Sequence, residues 1–278
     1  MSDAPVWRLL DSGYADGPLN MAVDDALLDA LVAGEGRPTL RLYGWRPPAV
    51  SLGYFQPLDE GISLTEIAAR GFGLVRRPSG GRAILHKDEV TYSVTVPEGQ
   101  VESGQSVMGS YRSISRGIEA GLSLLGLGAE LADRKDQPRM KAEGLPTVCF
   151  AKAARCDMTF EGRKIVGSAQ TRRRGVIMQH GSVPIHIDPA EHLAVMPGGG
   201  TDEESQRRLL GAACGVADAL GRPVSYEELS HALAEGFAQR LGLVLEPGEL
   251  SDWERQRTDE LYATRYTTEA WNHHPAPR

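Results

Sequence analysis

Arg76-Arg77-Pro78-Ser79-Gly80-Gly81-Arg82-Ala83-Ile84-Leu85-His86 leads, two residues on, into Glu89-Val90-Thr91-Tyr92-Ser93-Val94-Thr95-Val96. Alternation in the second segment puts Val90, Tyr92, Val94 and Val96 on one face of a β-strand. The Pro-Ser-Gly-Gly step before it reads as a turn whose backbone can approach a ligand closely, because two of its residues lack a Cβ. Arginines on both sides of a glycine turn, set against a sheet, suit a ligand with negative or partly negative oxygens. A hairpin turn with solvated arginines has the same composition.

Around this stretch the chain alternates between helical and extended patterns. Leu19 to Val32 has helical spacing with Pro18 in its first turn, and Asp24 and Asp25 are expected on its solvated face. Thr39 to Tyr43, Ala49 to Leu52 and Gly73 to Arg76 read as strands. Ser63 to Arg70 reads as a short helix with capping-box spacing between Ser63 and Glu66. Met108 to Leu125 carries Ile114, Ile118, Leu122 and Leu125 on one helical stripe. Asp133 to Pro146 is a polar stretch with two prolines, expected as a long surface loop. Three strands are expected beyond it: Asp157–Glu161, Arg163–Gly167 and Gly175–Ile187. Glu161-Gly162 forms a hairpin between the first two, and the third bends near Gly181. After Met196-Pro197-Gly198-Gly199-Gly200 the pattern is mainly helical, with capping boxes at Ser225/Glu228 and Ser251/Glu254.

The 278 residues carry a net charge of −7, which argues against general nucleic-acid binding. Its distribution is uneven. From Asp133 to Arg174, eleven Lys and Arg face five Asp and Glu, whereas from Asp188 to Arg278 sixteen acidic residues face eight basic ones. Cations gathered on the candidate site segments of an acidic chain are expected to steer an acidic partner. No apolar run approaches the ~18 residues of a membrane span, and the first residues lack a signal-peptide pattern. Three cysteines without Cys-x-x-Cys spacing point to free thiols in a reducing cytoplasm. The seven histidines show no metal-ligand spacing, so no metal and no cofactor are expected.

A second group of motifs adds to the first: Cys149-Phe150, Gly162-Arg163-Lys164-Ile165-Val166-Gly167-Ser168-Ala169-Gln170 and Gln179-His180-Gly181-Ser182. With Asn20-Met21-Ala22-Val23-Asp24, Leu42-Tyr43-Gly44-Trp45 and Ser51-Leu52-Gly53-Tyr54-Phe55-Gln56 they occur in order over roughly residues 5 to 190. Together they resemble the family of lipoate–protein ligases, biotin ligases and lipoyl/octanoyl transferases, and within it the octanoyltransferases. Two departures are visible: Ser79 stands where that family more often has Thr, and Arg163 replaces the first Lys of a Lys-Lys pair. The resemblance implies an α/β (α+β) fold with a mixed, largely antiparallel sheet flanked by helices. Residues 1–188 are expected to form the catalytic region and 189–278 a helical lobe packed on it, the two being separate or one continuous domain.

The resemblance also implies a chemistry. Moving an acyl group from a thiol to an amine is simplest through a cysteine thioester. Cys214 lies in an apolar helical context suited to a buried thiol, and Cys156 alternates with Met158 and Phe160 as a core residue would. Cys149 occupies the position of the family's nucleophile, with Lys164 expected to stabilise its thiolate or orient the acyl carbonyl. The expected substrate-binding residues are Arg77, Ser79, Gly80, Gly81, Arg82 and His86 on one side. Gly167, Ser168, Ala169, Gln170 and His180 are expected on the other. The implied donor is octanoyl-acyl-carrier protein, and the implied acceptor a lysine of a lipoyl-domain protein such as the glycine cleavage H protein. An ATP-dependent ligase, an amidotransferase between lipoyl domains and a non-catalytic binding module are the rival readings. Arg82, where ligases usually carry a third glycine, separates the first of these.

Overall fold

The computed structural model describes residues 4–58, 60–131, 157–197 and 200–273. The chain opens with β1 (Val6–Ala15), α1 (Gly17–Ala33), β2 (Thr39–Trp45), β3 (Ala49–Leu52), α2 (Leu64–Ala69), β4 (Gly73–Arg76), β5 (Ile84–His86) and β6 (Glu89–Pro97). It continues through α3 (Val107–Leu124), β7 (Glu130–Leu131), β8 (Met158–Phe160), β9 (Arg163–Arg173) and β10 (Val176–Pro184). The remainder is α4 (Pro189–Val195), α5 (Glu203–Ala212), α6 (Val216–Leu220), α7 (Tyr226–Leu241), β11 (Val244–Pro247), α8 (Asp252–Leu261), a π turn (Tyr262–Tyr266) and α9 (Glu269–Asn272). The helix starts follow side-chain capping: Asp16, Ser63, Ser106, Ser225 and Ser251 each accept a backbone N–H of the first turn, and at Ser251 the Glu254 carboxylate returns the bond.

Among the described residues eight strands form one mixed sheet in the order β11-β1-β2-β6-β10-β9-β8-β7, and three form a smaller one, β4-β3-β5. In the large sheet only β11–β1 and β1–β2 are parallel. One of its faces is apolar. There Leu40, Leu42, Val90, Tyr92, Val94, Val96, Ile177 and Val183 pack against Ile114, Ile118 and Leu122 of α3 and Leu229, Leu233 and Phe237 of α7. The other face meets α1 and the small sheet. β11 lies beside β1 and α7 lies on α3, so residues beyond 188 share the main sheet and its core.

Three elements differ from the sequence pattern. Asp24 and Asp25 are fully buried rather than solvated, because α1 is covered by the sheet on one side and by α8 and the π turn on the other. Asp25 there receives Arg173, Arg265 and the Tyr266 hydroxyl. β10 runs without a bend, in continuous register with β6 from Val176↔Pro97 to Pro184↔Glu89. Gly181 is instead a point of close approach: a Cβ there would stand 2.5 Å from Ser168 Oγ. β9 extends to Arg173 because β10 supplies it with a partner from Gly167 onward.

Candidate active site

The polar face of the large sheet and the small sheet flank a shared cavity. Ser51 of β3, Ile84 and His86 of β5, and Arg77 and Gly81 of the glycine turn form one wall. Trp45, Thr91, His180, Ser182, Lys164, Gly167 and Ala169 belong to the other.

Lys164 reaches this cavity through a β-bulge. Met158 pairs with Val166 but Thr159 pairs with Lys164, so Ile165 is the extra residue. Ile165 and Val166 both join the apolar core, and the strand's alternation shifts by one. Lys164 therefore falls on the cavity side with Gly167 and Ala169; without the bulge it would point into the α3/α7 core. The Lys164 carbonyl accepts the Cys214 N–H at 3.0 Å, which fixes the strand at the bulge. Its Nζ lies 2.9 Å from Asp157 Oδ2, with both side chains at least 95 % buried. Cys214 is itself buried, and burial pushes its thiol up, as suits a protonated structural thiol.

Two buried networks line the same cavity. In the first, Asp24 accepts Arg41 Nη1 at 2.7 Å, the Tyr43 hydroxyl at 2.9 Å and His180 Nδ1 at 3.2 Å. Burial alone would raise the Asp24 carboxyl; Arg41 and then His180 outweigh it and hold the carboxyl below its ordinary value. Burial, partly offset by Asp24, pushes His180 down. A neutral His180 with its Nδ1–H on an ionised carboxylate leaves Nε2 as an acceptor, so Ser79 Oγ–H donates to it at 2.5 Å. The Ser-His-Asp order is that of a nucleophilic triad, but Ser79 is fully buried and does not line the cavity. Its hydroxyl ties the glycine turn to β10.

In the second network His86 stacks on Trp45 at 3.9 Å, donates from Nδ1 to Glu89 at 2.8 Å and pairs through Nε2 with the Ser51 hydroxyl at 2.8 Å. Glu89 also accepts Ser182 at 2.5 Å and Thr91, and Thr91 accepts the Trp45 indole N–H at 2.8 Å. Arg77 donates to the Ser51, Gly80 and Arg82 carbonyls, which holds the glycine turn from within.

Residues 16–238 match the family described as the lipoyl protein ligase A/B catalytic domain. The chain belongs to this family. It is 45 % identical to Octanoyltransferase LipM of Symbiobacterium thermophilum over 269 residues, covering 96 % of this chain and 97 % of that protein. The LipM octanoyltransferase of Bacillus subtilis is 38 % identical over 271 residues, covering 96 % and 98 %. Among solved structures, a lipoate-protein ligase A bound with ATP superposes with a TM-score of 0.78 at 24 % identity, covering 97 % of this chain and 98 % of that one. A lipoate protein ligase of Thermoplasma acidophilum with bound lipoic acid gives 0.76 at 24 %, covering 97 % and 99 %. These structures share its fold, and the chain is an acyltransferase on the LipM branch of the family. Among the described residues no helix is long and apolar enough to cross a membrane.

Of the family residues expected at the site, Arg77, Gly81, His86, Lys164, Gly167, Ser168, Ala169 and His180 line the cavity. Ser79 and Gly80 lie behind it, Arg82 is exposed, and Gln170 bonds to Ser110 and Gln179 away from it. Cys149 and Cys156 lie outside the described residues, as does the loop expected from Asp133 to Pro146. Among the described residues, several cations of the site segments are engaged by the fold, while Arg82 and Arg174 are exposed. Arg76 and Arg77 are buried on carbonyls, Lys87 pairs with Glu191, and Arg173 is held by Asp25 and Asp29.

Asp24, Ser51, Glu89, Asp157 and Ser182 were not expected at the site. For Glu89 the visible signal was the polar phase of β6: Glu89, Thr91, Ser93 and Thr95 are mostly small hydroxyl residues, unlike the charges of a solvated strand face. For Asp157 the signal was the Glu161-Gly162 hairpin, which brings a residue seven positions before Lys164 back beside it.

Proposed function

We propose that this chain moves an octanoyl group from octanoyl-acyl-carrier protein to a lysine of a lipoyl-domain protein such as the glycine cleavage H protein, in lipoate biosynthesis, through a thioester on Cys149. The observation that carries the reading is a buried lysine set by a bulge against the cavity between the two sheets, in a chain akin to named octanoyltransferases across 96 % of its length. The Cys149 thiolate attacks the donor thioester carbonyl and expels the carrier's thiolate. The acceptor amine then attacks the acyl-enzyme, and its proton leaves with the departing Cys149 sulfur as a thiol. Lys164 offers its ammonium to the thiolate and to the carbonyl oxygen as it gains charge. The apolar edges of Trp45, Ile84 and Ala169 suit the alkyl chain.

Intact-mass measurement after mixing the protein with octanoyl-acyl-carrier protein, without ATP, tests this. An octanoyl adduct on the wild type, located to Cys149 by peptide mapping and absent from Cys149→Ala together with all turnover, is expected. Cys214→Ala should keep both. Transfer that strictly requires ATP, with no adduct, would establish the ligase reading instead.

A further inference from the structure

Arg76 is where the end of the described chain meets the turn that closes the cavity. It is the last residue of β4, at the edge of the small sheet, where backbone groups would otherwise be open. Two side chains pair that edge: the Arg76 N–H donates to Asn272 Oδ1 at 2.8 Å, and the Trp271 indole N–H donates to the Arg76 carbonyl at 2.9 Å. The guanidinium, 99 % buried with its residue, then reaches both ways. Nε and Nη2 donate to the carbonyls of Trp271 (3.1 Å) and Asn272 (2.9 Å), and Nη1 donates to those of Gly53 (2.7 Å) and Gln56 (2.6 Å).

The 53–56 turn in its turn carries the glycine turn. Tyr54 N–H donates to the Ser79 carbonyl at 2.9 Å. Gly53 lies so near Gly81 that a Cβ on it would stand 1.9 Å from the Gly81 oxygen. Gly81, at φ +96°, lines the cavity. Trp271 also packs on Tyr54 (5.6 Å between ring centroids) and Tyr266 (5.7 Å), and Asn272 Nδ2 donates to the Tyr266 carbonyl at 2.8 Å. The C-terminal members of this clasp, Tyr266, Trp271 and Asn272, lie beyond residues 16–238, the part that matches the family model.

We propose that Trp271 and Asn272 are positioning residues for acyl transfer: acting through Arg76, they fix the 53–56 turn and with it the glycine turn that forms one wall of the acyl cavity. The proposal rests on that cavity being the acyl site. A wall displaced by an ångström misplaces the substrate carbonyl, and misplacement of that size from a distant change costs about 100-fold in rate.

Asn272→Leu removes both polar contacts at nearly constant size, whereas Asn272→Asp keeps the acceptor for the Arg76 N–H. Trp271→Phe keeps the ring packing and loses only the indole donor. Hydrogen exchange of the full-length protein, read at residues 53–56 and 79–82, should rise about tenfold or more in Asn272→Leu. The rise should be smaller in Trp271→Phe and largely reversed in Asn272→Asp. kcat/KM for octanoyl transfer should fall roughly 10–100-fold in Asn272→Leu, mainly through kcat, and recover in Asn272→Asp. Exchange that rises only within 262–273, or unchanged kinetic constants with 79–82 loosened, would overturn the proposal. If Asn272→Leu does not fold, the Trp271→Phe pair of measurements decides alone. The exchange result needs no donor, so a wild type that fails to transfer octanoyl would sink the functional reading and leave the test of the clasp standing.

Discussion

The two faces of the central sheet are one residue apart in sequence and opposite in chemistry. On β6, Val90, Tyr92, Val94 and Val96 face α3 and α7, while Glu89 and Thr91 turn to the cavity side. On β2, Leu40 and Leu42 share the apolar face, and Arg41 and Tyr43 hold Asp24 on the other. Both faces are buried, and they are held by different means. The apolar face gains stability from area removed from water and is indifferent to partner geometry. On the polar face the side chains of Asp24, Arg41, His86, Glu89 and His180 all have partners, while the Ser93 and Thr95 hydroxyls are buried with none among the described residues. A group left unsatisfied costs about 1–3 kcal/mol, so the partners of the charged groups are what make this face tolerable. Function collects on the second face because a buried polar group that is already oriented needs no reorganisation when a substrate arrives.

The largest effect that would test this division is on Lys164. Lys164→Ala removes a cation that lines the cavity and takes from buried Asp157 its 2.9 Å partner. Acyl transfer should fall by roughly 10³-fold or more, and stability by about 3–5 kcal/mol, because one half of a buried pair is left charged. Adding Asp157→Ala should restore most of the unfolding midpoint and none of the transfer. Transfer recovering in the double variant would mean that the pair serves folding alone, and the polar face would lose its claim to the chemistry.

Ile118→Ala probes the other face. Ile118 is fully buried between the sheet and α7, so truncation should cost about 2–5 kcal/mol by lost burial and the cavity left behind. Measured well below its lowered midpoint, kcat/KM should stay near the wild-type value. A large loss of kcat/KM in the folded variant would show that the apolar face reaches the site through Tyr92, whose hydroxyl donates to Ser168 at 2.7 Å.

What the sequence disclosed follows the same division. Apolar alternation in β6, the stripe of α3 and the serine caps state local rules, and each element stands where those rules place it. The buried polar face is harder to read, because Asp24 on a helix looks the same whether it meets water or Arg41. Only tertiary contact from β2 and β10 distinguishes the two. The Ile165 bulge is likewise invisible to a period-two pattern, since nothing in Arg163-Lys164-Ile165-Val166-Gly167 marks an extra residue. Family motifs supplied what periodicity could not: they named Lys164, His86 and His180, all of which line the cavity. They did not name Glu89 or Asp157, whose part is to hold those residues in place.

The smallest effect concerns protons. Burial pushes both His180 and His192 below the ordinary histidine value, opposed by Asp24 and Asp188 respectively, and His192 comes to about 4. In the unfolded chain each takes up a proton near pH 6.5. Below that pH the unfolded state therefore binds protons that the folded state refuses. The stability owed to a neutral histidine is whole above about pH 6.5 and is lost as pH falls toward the folded value. For His192 this amounts to about 2 kcal/mol between pH 7 and pH 5, read as a falling urea midpoint, and His192→Gln should remove that part of the slope. The slope that remains includes His180, and it differs in kind. Protonating His180 Nε2 takes away the acceptor of Ser79 Oγ–H and loosens the glycine turn. In His192→Gln, then, residual acid destabilisation and loss of acyl transfer should set in over the same pH range. Transfer that holds steady to pH 5 while the midpoint still falls would show that the Ser79–His180 bond belongs to the fold's support and not to the working face of the sheet.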